Sequence, residues 1–244
     1  MSLKLIIGRL INNFIIKLYD FDYRLLNFIP NGRYLNLDLK RASISIDNIF
    51  DVGANTGQTS LGFVNSFPKS RIFTFEPVAS TFSILAKNTT KFPQIKNFNI
   101  ALGHVQERLS IINQNDSETN SLKSLVSPDD VSAIMINVST GTLFCEENNI
   151  TTIDILKIDT EGFEMNVLMG FDKLFLEGKV KCIYAEVGFD RNDNFKTMFT
   201  DIEAYLNKLG FLTSGFYEPY RWGNTKLRLG FCNVLFINTN LIQN

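Results

Sequence analysis

Four carboxylates stand at or beside the ends of short apolar runs: Asp51, Glu76, Asp159 and Glu186. The first lies in Ile49-Phe50-Asp51-Val52-Gly53-Ala54-Asn55-Thr56-Gly57, where an apolar run gives way to glycines spaced G-x-x-x-G and then to a helical pattern. The second closes Arg71-Ile72-Phe73-Thr74-Phe75-Glu76-Pro77. It lies roughly 20 residues beyond the glycines, the separation at which an acid reads the ribose of an adenosine-containing ligand. Glycines at such a turn let backbone approach a ligand where a side chain would collide. The carboxylate of Glu76 can accept two hydrogen bonds from ribose hydroxyls.

The spacing also discriminates between ligands. A dinucleotide site needs G-x-G-x-x-G, so that backbone amides face a pyrophosphate. The G-x-x-x-G spacing of this chain is wrong for that, and Asp51 would repel a pyrophosphate. A carboxylate there suits a ligand carrying positive charge. S-adenosylmethionine carries a sulfonium and an ammonium, so the residues predict this cofactor and disfavour NAD.

The acids at 159 and 186 predict where chemistry occurs. In open α/β sheets, ligands sit beyond the carboxyl ends of the strands. Asp159-Thr160-Glu161-Gly162-Phe163-Glu164 is a dense acidic turn between a strand and a helix. Acids in a helix's first turn gain about 0.3–1 kcal/mol from the macrodipole, which accounts for Glu161 and Glu164. It does not account for Asp159, at the end of a buried strand where an ionised acid is costly. Asp159, Glu161 and Glu186 are therefore the candidate general bases, with His104 beside them and Asp159 favoured. Asp159 and Glu186 offer an alternative: carboxylates on neighbouring strands can hold Mg²⁺, which would activate a hydroxyl.

The elements that must position these groups alternate between strand and helix, which predicts a parallel sheet. Strands are expected at about 48–53, 71–76, 97–102, 153–159 and 181–187, with a final pair at about 211–217 and 230–237 joined by a loop over 218–229. Helices follow the first two strands, with Leu61, Val64 and Phe67, then Phe82, Leu85 and Ala86, facing inward. The strongest helical pattern runs from Phe195 to Leu209 and stops at Gly210. Residues 104–142 read as an insertion with short strands at 108–112 and 133–138 and a polar loop over 113–120. Tyr217, Tyr220 and Trp222 suit either stacking on a sugar ring or capping a core.

At 244 residues the chain can bury one sizeable core. Net charge is −1 with no Lys/Arg run, so no nucleic-acid surface is predicted. Cys145, Cys182 and Cys232 are odd in number and widely spaced, which predicts free thiols and a cytoplasmic, reducing compartment. His104 is the sole histidine, which excludes mechanisms needing two. Residues 1–45 read as a helical extension ahead of a domain spanning 46–244. Within it Leu3, Ile7, Leu10, Phe14 and Leu18 form an apolar stripe interrupted by Lys4, Arg9 and Lys17. That pattern is too polar for a membrane span and lacks a cleavage site. It predicts a helix packed on the domain or on a second copy, or one lying peripherally on a membrane surface.

With these residues in view, the chain resembles the FkbM-type methyltransferases. The likeness rests on 50–57, on Phe75-Glu76-Pro77, on Asn99-Ile100-Ala101-Leu102-Gly103, and above all on Asp154-Ile155-Leu156-Lys157-Ile158-Asp159-Thr160-Glu161-Gly162-Phe163-Glu164. The resemblance implies a Rossmann-like class I methyltransferase fold: a seven-stranded, mostly parallel sheet with a reversed last strand and helices on both faces. It implies cofactor contacts at Asp51, Gly53, Ala54, Asn55, Thr56, Gly57, Glu76, Pro77, Ala101, Leu102 and Asp159. It also implies O-methylation of a hydroxyl on a sugar, glycan or other small acceptor. Two positions depart from the family pattern: Phe144 follows Thr142-Leu143 in place of an Asp, and His104 replaces an acid after the third strand. An amine or carboxylate acceptor, a catalytically silent cofactor-binding or assembly protein, and a nucleotide-dependent oxidoreductase remain the competing readings.

Overall fold

The computed structural model describes residues 31–112, 133–193 and 195–240. The apolar stripe before residue 20 and the polar loop over 113–120 lie outside them. In chain order the elements are α1 (Leu35–Arg41), β1 (Asn48–Val52), α2 (Gln58–Ser66), β2 (Arg71–Phe75), α3 (Ala79–Thr89), β3 (Ile95–Phe98), β4 (Ala101–Leu102), β5 (Glu107–Ile112) and β6 (Ala133–Ser139). They continue with α4 (Gly141–Glu147), β7 (Ile153–Ile158), α5 (Glu164–Met169), α6 (Asp172–Leu176), β8 (Val180–Gly188), α7 (Phe199–Asn207), β9 (Phe211–Trp222) and β10 (Arg228–Asn238).

The main sheet has seven strands in the order β3-β2-β1-β7-β8-β10-β9. β1, β2, β3, β7 and β8 pair in parallel, whereas β10 runs antiparallel to both β8 and β9. This is the mostly parallel sheet with a reversed last strand that the sequence implies. The central strands β1 and β7 are buried along their whole length, as expected for parallel strands covered on both faces. Alternate residues feed two cores. Phe50, Phe73, Leu156 and Ile183 point to one side, where α4 to α7 pack; Ile49, Ile72, Ile155 and Cys182 point to the other, against α1 and α2.

Phe144 explains one departure from the family pattern. Its ring lies edge-on to Phe75 and Phe98, with centroids 4.8 and 4.7 Å away, inside an aromatic cluster that includes Phe50 and Phe73. An ionised Asp there would be buried without a partner. All three cysteines are free and buried, and burial pushes their thiols up to about 12, so they are poor nucleophiles. Among the described residues no helix is long and apolar enough to cross a membrane.

Three boundaries differ from the sequence expectation. The strand expected over 97–102 is two strands. Asn99 donates its side-chain amide to the carbonyls of Glu76 (2.8 Å) and Pro77 (2.9 Å). The chain thereby leaves the main sheet, and Ala101–Leu102 join a second sheet ordered β4-β6-β5. The helix expected from Phe195 begins at Phe199, because Met198 is extended and bridges Gly188. The final hairpin extends through 218–222, where a loop is expected. Pro219 is tolerated because β9 is an edge strand. Stacking of Tyr220 on Phe231, centroids 4.7 Å apart, carries the pairing outward.

Candidate active site

The register of the sheet builds the site. Val52 pairs with Phe75 and with Ile158, and Ile158 pairs with Ala185. One residue beyond that row stand Gly53, Glu76, Asp159 and Glu186, side by side at the carboxyl edge. Gly53 is required there by geometry. It has φ +78°, and a Cβ on it would lie 1.8 Å from the carbonyl oxygen of Asp159. The sequence reading assigned this glycine to ligand approach; its first consequence is that the ends of β1 and β7 can meet.

Asp51 and Lys157 pair one layer below that edge. Lys157 Nζ lies 3.5 Å from Asp51 Oδ1 and 3.1 Å from Asp159 Oδ2, and Ser60 Oγ donates to Asp51 Oδ2 at 2.5 Å. Asp51 is wholly buried and Lys157 nearly so. The expectation that Asp51 faces a cationic ligand is therefore corrected: the cation it meets is Lys157. This buried ammonium holds the Asp159 carboxyl below the usual carboxylate range, and its own affinity for a proton is raised by the two acids to about 12.

A cleft of about 690 Å³ opens above β1, β2 and β7. Of the expected contacts, Gly53, Asn55, Glu76, Pro77, Ala101, Leu102 and Asp159 line it; Val52, Phe75, Val78, Ile111, Thr160 and Glu161 complete it. Ala54, Thr56 and Gly57 do not line it. The Ala54 N–H is bonded to the Phe75 carbonyl, and the Thr56 carbonyl accepts from Asn88. Gly57 caps α2 in a left-handed conformation, where a Cβ would press on Leu85 at 2.9 Å. Glu76 is the organising acid of the cleft. It accepts from the backbone N–H of Asn55 (3.1 Å) and Val78 (2.9 Å), and burial pushes its pKa to about 7. An acid at a strand end among apolar walls, with a carboxylate at the opposite end, fits a nucleoside bearing a cationic tail.

The turn after β7 is tied from below by Glu164. One oxygen of this fully buried carboxylate accepts from the N–H of Thr160 (3.0 Å) and Gly162 (2.9 Å), and the other accepts from the Thr197 hydroxyl. These bonds hold Glu161 at φ +51°, a conformation uncommon for a side-chain-bearing residue, and turn it toward Asp159 and Glu186. Carboxylate oxygens of Asp159, Glu161 and Glu186 lie within 4.8 Å of one another. Lys196 enters this cluster: Nζ is 2.7 Å from Glu161 Oε2 and touches Glu186 Oε2. Burial, followed by the charge of Asp159, raises Glu186 to about 8, and burial raises Glu161 also. The donor set does not fit Mg²⁺ as arranged, because the Lys196 ammonium already fills the cation position among these acids.

A second, more open cleft of about 1010 Å³ begins at Glu161, the one residue common to both cavities. Its walls include Asp190, Asp193, Lys196, Trp222, Arg228 and Phe231. Trp222 lies over Gly230, where a Cβ would meet its indole nitrogen at 2.3 Å, and is 42% exposed. Tyr217 faces the opposite side, buried against Tyr184, and His104 is exposed.

Two charged groups of this site, Lys157 and Lys196, escaped the sequence reading. Lys157 carried a signal, since a lone lysine inside an apolar strand implies buried partners. Lys196 carried none, because its partners Glu161 and Glu186 are distant in sequence.

Residues 51–213 match the family described as Methyltransferase FkbM domain. Methyltransferase 1 of Beauveria bassiana (strain ARSEF 2860) is 28% identical over 144 residues, 51% of this chain and 58% of that protein. The chain thus matches little more than half the length of that relative. Among solved structures, precorrin-6y C5,15-methyltransferase from Geobacter metallireducens GS-15 aligns at 13% identity and TM-score 0.46, over 82% of this chain and 84% of the other. M. capricolum TrmK, solved in complex with S-adenosyl-homocysteine, aligns at 12% identity and TM-score 0.47, over 83% and 68%.

Proposed function

The chain belongs to the FkbM methyltransferase domain family, and on that premise we propose that it transfers a methyl group from S-adenosylmethionine to a hydroxyl of a sugar or another small acceptor. The observation that carries this reading is the meeting of two clefts at Glu161, with Asp159 beside it. The first cleft suits the cofactor: Glu76 accepts from the ribose hydroxyls, Phe75, Leu102 and Ile111 shield the base, and Asp159 faces the cationic end. When bound, S-adenosylmethionine supplies an electrophilic methyl on a sulfonium that leaves as a neutral thioether.

The residues of the chain do the rest. The second cleft receives the acceptor, with the indole of Trp222 offering a flat apolar surface to a sugar ring. Glu161 and Asp193 in this cleft suit an acceptor that offers hydroxyl donors. Glu161 takes the proton that the acceptor hydroxyl loses as its oxygen bonds to the methyl carbon. We place that proton on Glu161 rather than on Asp159, because Lys157 keeps Asp159 ionised and a weak base, whereas burial makes Glu161 a stronger one. The methyl carrier is positioned by Asp159, and positioning supplies much of the acceleration of such a displacement.

The test is incubation of the purified chain with radiolabelled S-adenosylmethionine and a panel of sugars, glycans, amines and carboxylates. Label is expected in a hydroxyl-bearing acceptor, with Glu161→Gln lowering turnover by roughly 10²–10⁴-fold. Transfer to an amine or carboxylate alone, or calorimetry that detects NAD but not S-adenosylhomocysteine, would overturn the reading.

A further inference from the structure

Lys196 belongs to no helix or strand, yet its side chain is only 9% exposed. Burial of a lysine is costly unless its charge is paired. The pairing here is doubled: Glu161 at 2.7 Å and Glu186 in contact, with the Phe231 ring centroid 4.9 Å away on the other side. The backbone is fixed to suit. Gly188 donates its N–H to the Thr197 carbonyl at 2.8 Å, and a Cβ on Gly188 would stand 2.7 Å from the Cβ of Lys196. Thr197 donates its hydroxyl to Glu164, the acid that shapes the turn bearing Glu161. Lys196 is therefore held by β8 on one side and by the acidic turn on the other, and it joins them through charge.

We propose that Lys196 is a positioning residue: its ammonium fixes the Glu161 carboxylate at the junction of the two clefts, using Glu186 as the second anchor, and so orients the group that receives the acceptor's proton. The inference rests on the reading of the second cleft as the acceptor site. Among the described residues the charged groups near Glu161 include Asp159 and Glu164 on its own turn, Glu186 from β8, and Lys196, with Lys157 behind Asp159. Across the cleft Asp190 is paired with Arg228, and the hairpin presents Trp222 and Phe231. Lys196 contacts both Glu161 and Glu186, so removing its charge takes an opposite charge from each, while Lys157 stays beside Asp159.

The test compares the full chain with Lys196→Met and Lys196→Arg by carbon-13 titration of the glutamate carboxyls, assigned with Glu161→Gln and Glu186→Gln. In Lys196→Met the midpoints of Glu161 and Glu186 should rise by about one pH unit or more, since each loses an opposite charge in contact. Lys196→Arg should return them toward wild type. S-adenosylhomocysteine affinity, measured by calorimetry, should change far less than acceptor KM, because Lys196 lines the second cleft and reaches the first only through Glu161. With the acceptor found by the screen, Lys196→Met should raise KM and lower kcat and Lys196→Arg should restore part of both. Should the methionine variant fail to fold, Lys196→Gln gives the same readout. Unmoved midpoints, or equal loss of S-adenosylhomocysteine binding in the methionine and arginine variants, would overturn the proposal. Absence of turnover in wild type would count against the methyltransferase reading, while the titrations still judge Lys196.

Discussion

Glu76 carries the residue-scale argument. Its carboxylate lines the cleft proposed for the cofactor and also ties Asn55 and Val78 through their backbone N–H groups. Glu76→Ala should weaken S-adenosylhomocysteine binding by about 1.5–3 kcal/mol, the range for hydrogen bonds to a charged group. Because its pKa is pushed to about 7, the ionised form that accepts best from ribose hydroxyls grows as pH rises through that value. Affinity should increase accordingly, with release of a proton on binding. Calorimetry in buffers of different ionisation enthalpy measures that proton, and Glu76→Gln should abolish its release. Pairing decides the roles of the other acids. Lys157 keeps Asp159 an anion, whereas Glu161 and Glu186 lie where burial raises their proton affinity.

At the scale of elements, the site depends on how closely β1 and β7 converge. Gly53→Ala forces a Cβ to within 1.8 Å of a backbone oxygen at φ +78°. The expected loss is about 2 kcal/mol or more, because neither the strained dihedral nor the overlap can be relieved by a side-chain rotation. Gly62→Ala in the neighbouring helix is the control. Nothing lies within 4 Å of its added Cβ, so stability should hold or gain about 0.5–1 kcal/mol. Denaturant midpoints of the pair distinguish crowding at the strand edge from a general intolerance of substitution. Equal midpoints for the two variants would remove Gly53 from the argument.

The whole molecule should show the buried acids in its pH dependence. Glu76 and Glu186 have folded-state values raised from 4.5 to about 7 and about 8. Between 4.5 and those values the folded chain binds more protons than the unfolded chain, so stability falls as pH rises through that window. Asp159 works in the other direction: its depressed value gives stability that is lost in strong acid. The optimum should therefore lie at about pH 4–4.5, and unfolding free energy should decline from there toward about pH 8.5. In Glu76→Gln the decline should be smaller. A flat profile from pH 5 to 8.5 in wild type would mean that these acids are better solvated than their burial implies.

The sequence by itself determined the alternation of strands and helices, the row of strand-end acids and the family. Each of these is written in local runs: apolar periods, a glycine spacing, and the stretch from Lys157 to Glu164. Tertiary structure decided what the acids face. Asp51 reads as a ligand-facing carboxylate until the register of β1 against β7 sets Lys157 beside it. Lys196 is 35 residues from Glu161, and no local pattern announces that pairing. The strand expected over 97–102 was lost to a single side chain, Asn99, whose partners lie 22 and 23 residues away. The late hairpin outran its expected loop because Tyr220 found Phe231 across the strands. Local sequence fixes which groups reach the carboxyl edge of the sheet; the charge each one keeps there depends on partners that only the folded chain brings within about 4 Å.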